Sequence, residues 1–335
     1  MLQLKNETPF KAAVAVLPDR NGVDTLHVIV KATLTLRPHL ALAPTQVPVT
    51  LADEYYDDPQ TSSLKLASEM HIGKPGTDVL LVGSAHAPEG SEITNSVVSV
   101  SAAGRVKHAH VSGDRIWRRD GGMTAPQPFT SIPLVWERTY GGTHVLPEGV
   151  LAEEHNPIGL GFKGKRGAVE MADEPVPNVE DPATLLSSAG DVGTPVCFAP
   201  ASPAWLPRRA CAGTYDAAWQ RQRAPYLPAD FDARFFMMAS PELAFDRFLT
   251  GGEPFQIDGV HPEGPIAFAL PGAPLELHVS VAGAHEHPPV NLETVLIAPD
   301  ANLLCLSWRG VLAVDRKALK VETIRLAMRG RAKAA

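Results

Sequence analysis

Residues 11–36, KAAVAVLPDRNGVDTLHVIVKATLTL, decide the fold class. Apolar and polar positions alternate with period two in KAAVAVLP and again in TLHVIVKATLTL, the spacing of strands that present one face to a core. The first run stops at Pro18, and PDRNG between the runs is turn chemistry with Asn21-Gly22 at its apex. The stretch therefore predicts a β-hairpin. Downstream, HLALAPTQVPVTL continues in short extended pieces whose prolines suit sheet edges. TDVLLVGSAHAP (77–88) reads as a buried strand, and SVVSVSAAGRVKHAHVSGDRIW (96–117) as a second hairpin turning at Ala103-Gly104. GPIAFALPG, LELHVSVAG, VNLETVLIAP and NLLCLSWRGVLAV supply further strands near the C-terminus. Short strands at this spacing, with turn signals between them, predict a mainly β fold with an antiparallel, sandwich-like core.

The expected layout is one large domain: N-terminal strands over 1–118, an irregular central insertion over 119–238, a helix over 240–250 and C-terminal strands over 265–327. The helix rests on Ser240 as N-cap, Pro241 at the first helical position, the apolar pairs Ala244–Phe248 and Phe245–Leu249, and the Gly251-Gly252 stop. A shorter helical turn is expected around Tyr215–Gln222. The tail after RLAMRG is expected to fray.

At 335 residues the chain can bury a sizeable core without a metal or disulfide staple. A net charge of −7 argues against a nucleic-acid backbone as principal ligand. Cys197, Cys211 and Cys305 show no metal or redox spacing and read as small apolar residues. Neither a signal-peptide run nor a membrane-length apolar stretch is present in the sequence, so a cytoplasmic protein with no membrane partner is expected.

Trp205–Phe236, WLPRRACAGTYDAAWQRQRAPYLPADFDARFF, mixes tryptophan, tyrosine, arginine and aspartate among Pro and Gly. Aromatic bodies with polar tips, and guanidinium forks that meet carboxylates, suit either an internal pinning network or a binding face. Pairing of Arg208 or Arg209 with Asp216, Asp230 or Asp232 is expected. FTSIPLVWERTYGG repeats the mixture, and the expected partner-binding set is Trp136, Arg138, Tyr140, Trp205, Arg208, Tyr215, Asp216 and Trp219, residue types that dominate interface hot spots.

Catalytic and cofactor signals are weak. GLGFKG (159–164) matches the dinucleotide fingerprint by letter, but neither a strand before it nor a helix after it is indicated, so it reads as a turn. His285-Glu286-His287 lacks further ligands at zinc spacing and reads as an exposed loop. His108 and His110 share one face of a strand. No nucleophile elbow or HExxH helix occurs. The expectation is a non-enzyme without cofactor or metal. A hydrolase using carboxylates and a metal enzyme built on the His-rich loop are the alternatives.

NETPF, IVKATLTL, LASEMHIGKPGTDVLLVGSAHAP, VSGDRIW, FTSIPLVWERTYGG, NPIGLGF, VPNVEDP, AWLPRRACAGTYDAAW and LPADFDARFF follow one another in this order. The series resembles the bacterial domain of unknown function 2169 family over nearly the whole chain. PVCFAPASPAW departs from the pattern, with Cys197 and Ala199 where a Gly-Phe-rich run is expected, and the pentapeptide-repeat extension of some relatives is absent from the sequence. The resemblance implies an effector adaptor or chaperone of type VI secretion. Such an adaptor holds a toxin effector and helps load it onto the spike, the valine-glycine-rich protein (VgrG) with its PAAR tip. It implies no catalytic residues, and a structural component of the secretion apparatus is the further alternative.

Overall fold

The computed structural model describes residues 3–329. Its main sheet runs in the order Lys11–Pro18, Asp24–Thr35, Leu303–Ala313, Val290–Ala298, Asp78–Leu81. All neighbours are antiparallel except the last pair, where Asp78 runs parallel to Thr294. The first hairpin closes as expected: Pro18 faces Asp24, Gly22 takes φ +83°, and the Asp19 carboxylate accepts the amides of Asn21 and Val23. A five-stranded sheet follows the order Val179–Glu180, Arg105–Ser112, Asn95–Ala102, Pro254–Asp258, Ile266–Ala269. A four-stranded sheet joins Leu4–Asn6, Val321–Met328, Leu275–Val281 and Ala284–Glu286.

One apolar cluster takes side chains from all three sheets. Leu26, Val28, Val30, Leu304, Leu306 and Trp308 of the main sheet meet Val98, Val100, Phe255 and Ile257 of the second, and Leu277, Val279, Ile324 and Leu326 of the third. The alternation seen in sequence thus becomes the inward face of a layered, mainly β protein. The other face of the main sheet is buried too, but by polar groups under the segment 46–74.

The helix expected over 240–250 does not form. Ser240 makes a single turn, accepting the amides of Leu243 and Ala244, and the chain then extends along the strand beginning at Asp78. Phe245 donates to the Thr77 carbonyl at 2.8 Å, Val79 to Leu243 at 3.0 Å and Thr77 to Arg247 at 3.1 Å. Three turns of isolated helix are marginal in water, whereas an open strand edge offers partners and burial for Phe245 and Leu249. The shorter turn does form, as the helix Ala217–Gln222, with the Asp216 carboxylate accepting the Trp219 amide. The expected fray of the tail after Gly330 lies outside the described residues.

Candidate functional site

Three neighbouring strands of the main sheet each carry one charge inside an apolar run: Lys31, Glu293 and Arg309. A β-bulge at Leu292/Thr294 turns Glu293 and Thr294 onto the same polar face. The segment SEMHIGKPGTD covers that face and answers each charge. Glu69 accepts from Lys31 at 2.9 Å and from Ser307; Glu293 accepts from Arg309 Nε at 2.7 Å; Asp78 accepts from Lys74 at 2.7 Å. Three cations and three carboxylates therefore balance. Burial and the Arg309 charge hold His71 well below the ordinary histidine range, so its ring is neutral.

This network sets the floor of the surface above it. Asp78, fully buried, also accepts the amides of Met238 at 2.8 Å and Ala239 at 3.3 Å, and His71 stacks on Phe236 at 4.8 Å. Gly76 is needed for close approach, since a Cβ there would lie 2.0 Å from the Phe245 carbonyl oxygen.

A second knot is tied by Asn156, whose buried amide donates to the carbonyls of Trp136 and Tyr140 and to Thr139 Oγ1 at 2.9, 3.0 and 2.7 Å. GLGFKG lies beside it as the expected turn, with the two-residue strand Leu160–Gly161 parallel to Tyr140–Gly141. Trp136 donates from Nε1 to the Pro200 carbonyl and meets Trp205 edge-on at 5.6 Å; both are buried, as is Tyr140. Those three members of the expected partner-binding set are buried and hold the central segment in place. Arg138 is half-buried and donates to Asn178 at 2.8 Å.

The expected Arg–Asp pairs within 205–236 are not formed. Arg208 donates instead from Nε to the Phe235 carbonyl at 2.9 Å and from Nη1 to Ala201 at 2.5 Å, and lies over the Phe235 ring. Arg209 reaches Glu154 at 3.0 Å. Asp230 accepts from Thr214, and Asp232 pairs with its neighbour Arg234. Asp216 and Asp232 find donors within their own turns, at Trp219 and Arg234, and Asp230 is taken by the amide and hydroxyl of Thr214.

Two adjoining hollows open above the floor at Met237–Ala239. One, of about 340 Å³, is walled chiefly by Pro75, Met237, Ala244 and Phe245, with Arg208, Cys211 and the exposed Arg234 and Asp246. The other, of about 370 Å³, is walled by Trp136, Val196, Cys197 and Leu206, with Lys107 and Glu242. Pro207, Ala239 and Pro241 line both, so together they form one apolar groove. Its thiol at Cys197 is pushed up to about 12 by burial and is inert at neutral pH.

Tyr215, Asp216 and Trp219, the rest of the expected set, stand together on the arm 213–228. Tyr215 and Asp216 are exposed, Trp219 is half-buried, and the Tyr215 and Trp219 rings meet edge-on at 4.7 Å. Tyr226, exposed and absent from that set, anchors the arm. Its ring lies where a Cβ on Gly22 would come within 2.8 Å, and its carbonyl accepts from Trp219 Nε1 at 2.8 Å.

His285 and Glu286 sit on an exposed edge strand, His285 bonded to Ser280 at 2.9 Å and His287 edge-on to His278. Among the described residues no group of three or more His, Cys, Asp or Glu is placed to hold a metal. No helix of the described residues is long and apolar enough to cross a membrane.

The model of the family described as "Uncharacterized protein conserved in bacteria (DUF2169)" matches residues 21–309. The chain belongs to the DUF2169 family. No curated protein and no solved structure matches it. The DUF2169 match takes in the buried charge network, the Asn156 knot, both hollows and the whole aromatic arm. Sequence reasoning missed the network and the groove. The network had a signal, the lone charges at Lys31, Glu293 and Arg309 within apolar strands; the groove had none, because its walls come from segments far apart in the chain.

Proposed function

We propose that this protein is a binding adaptor for an effector polypeptide of type VI secretion, with no turnover of its own. The groove carries the reading: it is apolar, rests on a rigid charge-paired floor, and lies in the same central region as the aromatic arm. Concave apolar surface with a few polar groups suits the capture of side chains from a partner. Tyr215, Trp219 and Tyr226 add rigid aromatic contact area at low entropic cost. The delivery pathway is supported by the resemblance of the ordered motifs to the effector-adaptor family. Loading of the effector onto the valine-glycine-rich spike protein and its PAAR tip is part of the same proposal, as is a place in the cytoplasm.

Coexpression with the candidate toxin encoded beside the gene tests this. A stable complex is expected, and deletion of the gene should stop delivery of that toxin while leaving the secretion apparatus assembled. Loss of all secretion would instead mark a structural component. Processing of the toxin by catalytic amounts of the protein would mark an enzyme.

A further inference from the structure

Arg208 is the one buried charged group lining the 340 Å³ hollow, and its side chain is largely spent on fixing its own position; Arg234 and Asp246, which also line it, are exposed and paired with Asp232 and Arg105. Arg208 is 7 % exposed, and no carboxylate of the described residues lies within salt-bridge distance. Nε and Nη1 are held by the Phe235 and Ala201 carbonyls. A guanidinium has five N–H groups, and those beyond these two find no acceptor among the described residues. Nη2 is not sealed: unlike the orphaned ring nitrogens of His27, it keeps accessible surface. A desolvated cation with neutral partners only is costly, and an incoming anion would offset that cost with charge-assisted bonds.

The walls say what carries the anion. Pro75, Pro207 and Pro241 have no amide hydrogen to offer, and Met237, Ala244 and Phe245 present apolar side chains. A ligand main chain would find few donors inside, so the main chain stays outside and only side chains enter. A glutamate fits, its methylenes against the apolar wall and its carboxylate on the fork. One side chain does not fill 340 Å³, which leaves room for a neighbouring large apolar residue.

We propose that the hollow is a receptor for a glutamate side chain flanked by a large apolar residue, on an extended segment of the partner polypeptide, with Arg208 as its anion-binding residue. This rests on the adaptor reading and names what the groove recognises.

Cys211 lines the same hollow and is half-buried, whereas Cys197 and Cys305 are buried. Its alkylation by iodoacetamide, followed by mass spectrometry on the full chain, reports occupancy without any effector. The probes are acetyl-Ala-Leu-Glu-Phe-Ala-amide, its glutamine counterpart, and acetyl-Ala-Leu-Phe with a free carboxylate. The glutamate peptide should protect Cys211 at concentrations about tenfold or more below the glutamine peptide, the size expected for charge-assisted bonds. Arg208→Gln should make the two peptides equal. Should that variant not fold, Arg208→Lys, which keeps the charge but loses the fork, should narrow the difference, and Ala244→Leu should abolish protection by filling the hollow. Equal protection by both peptides in the wild type, or none, overturns the proposal; stronger protection by the free-carboxylate peptide overturns the choice of a side chain over a chain terminus. An effector that copurifies equally with wild type and Arg208→Gln removes this site but leaves the adaptor reading. An effector that does not copurify with wild type removes the adaptor reading, whatever Cys211 shows.

Discussion

Replacing Asp78 with asparagine should destabilise the protein sharply, because the residue joins the buried charges to the floor of the groove. Asp78 is fully buried, accepts from Lys74 Nζ at 2.7 Å and holds the amides of Met238 and Ala239. Asparagine keeps the shape and one acceptor but leaves Lys74, whose side chain is 1 % exposed, with no counter-charge and only Thr294 Oγ1 at 2.9 Å. Breaking one side of a buried pair costs about 3–5 kcal/mol. With roughly 2.1 cal/mol/K of unfolding entropy per residue, 335 residues give about 0.7 kcal/mol/K, so Tm should fall by about 4–7 °C. Lys74→Met alone should also destabilise, and Lys74→Met with Asp78→Asn should lose clearly less than the sum of the two. Differential scanning calorimetry on the three variants is the assay. An Asp78→Asn protein that melts within about 1 °C of wild type, against the several degrees expected, would show that water already screens this pair.

Acid should loosen the same layer. Burial and the Arg309 charge depress His27 to about 4, so between its ordinary value of 6.5 and 4 the unfolded chain takes up a proton that the folded chain refuses. Stability contributed by the neutral ring is present above pH 6.5 and falls with pH, by about 3 kcal/mol in full, with His71 acting in the same direction; His27→Leu should flatten the melting curve against pH over that interval. Gly141 takes φ +152°, and a Cβ there would lie 2.1 Å from the Asn156 carbonyl oxygen, so Gly141→Ala should cost far more than Gly90→Ala. Gly90 is also left-handed but has nothing within 4 Å, so its substitution should cost only about 1–2 kcal/mol. Trp136→Ala, opening the buried pair with Trp205, should cost about 3–5 kcal/mol, whereas Trp219→Ala on the arm should leave Tm nearly unchanged and weaken effector binding instead.

Strand alternation around Asn21-Gly22 and Ala103-Gly104 is a local property, and both hairpins were legible from residues alone. The stretch 240–250 carried every local helix signal, yet its fate is decided by Thr77 and Val79, residues far away in sequence that offer backbone partners. Arg208 was legible as important, but its partners are the Phe235 and Ala201 carbonyls, which no residue type announces. Trp136, Tyr140 and Trp205 have interface chemistry and core positions, a distinction that only burial makes. Lys31, Glu293 and Arg309 were visible as solitary charges in apolar runs. Such a charge must be paired when both sheet faces are covered, and that condition is tertiary.

Hydrogen exchange on the copurified complex with the neighbouring toxin, compared with the free protein, tests the binding face most directly. Slowed exchange is expected in 205–211 and 239–246, which wall the groove, and in the arm 213–228. Protection confined to the open edge strand Lys11–Pro18 or to the hairpin 143–152, with the groove unchanged, would contradict it.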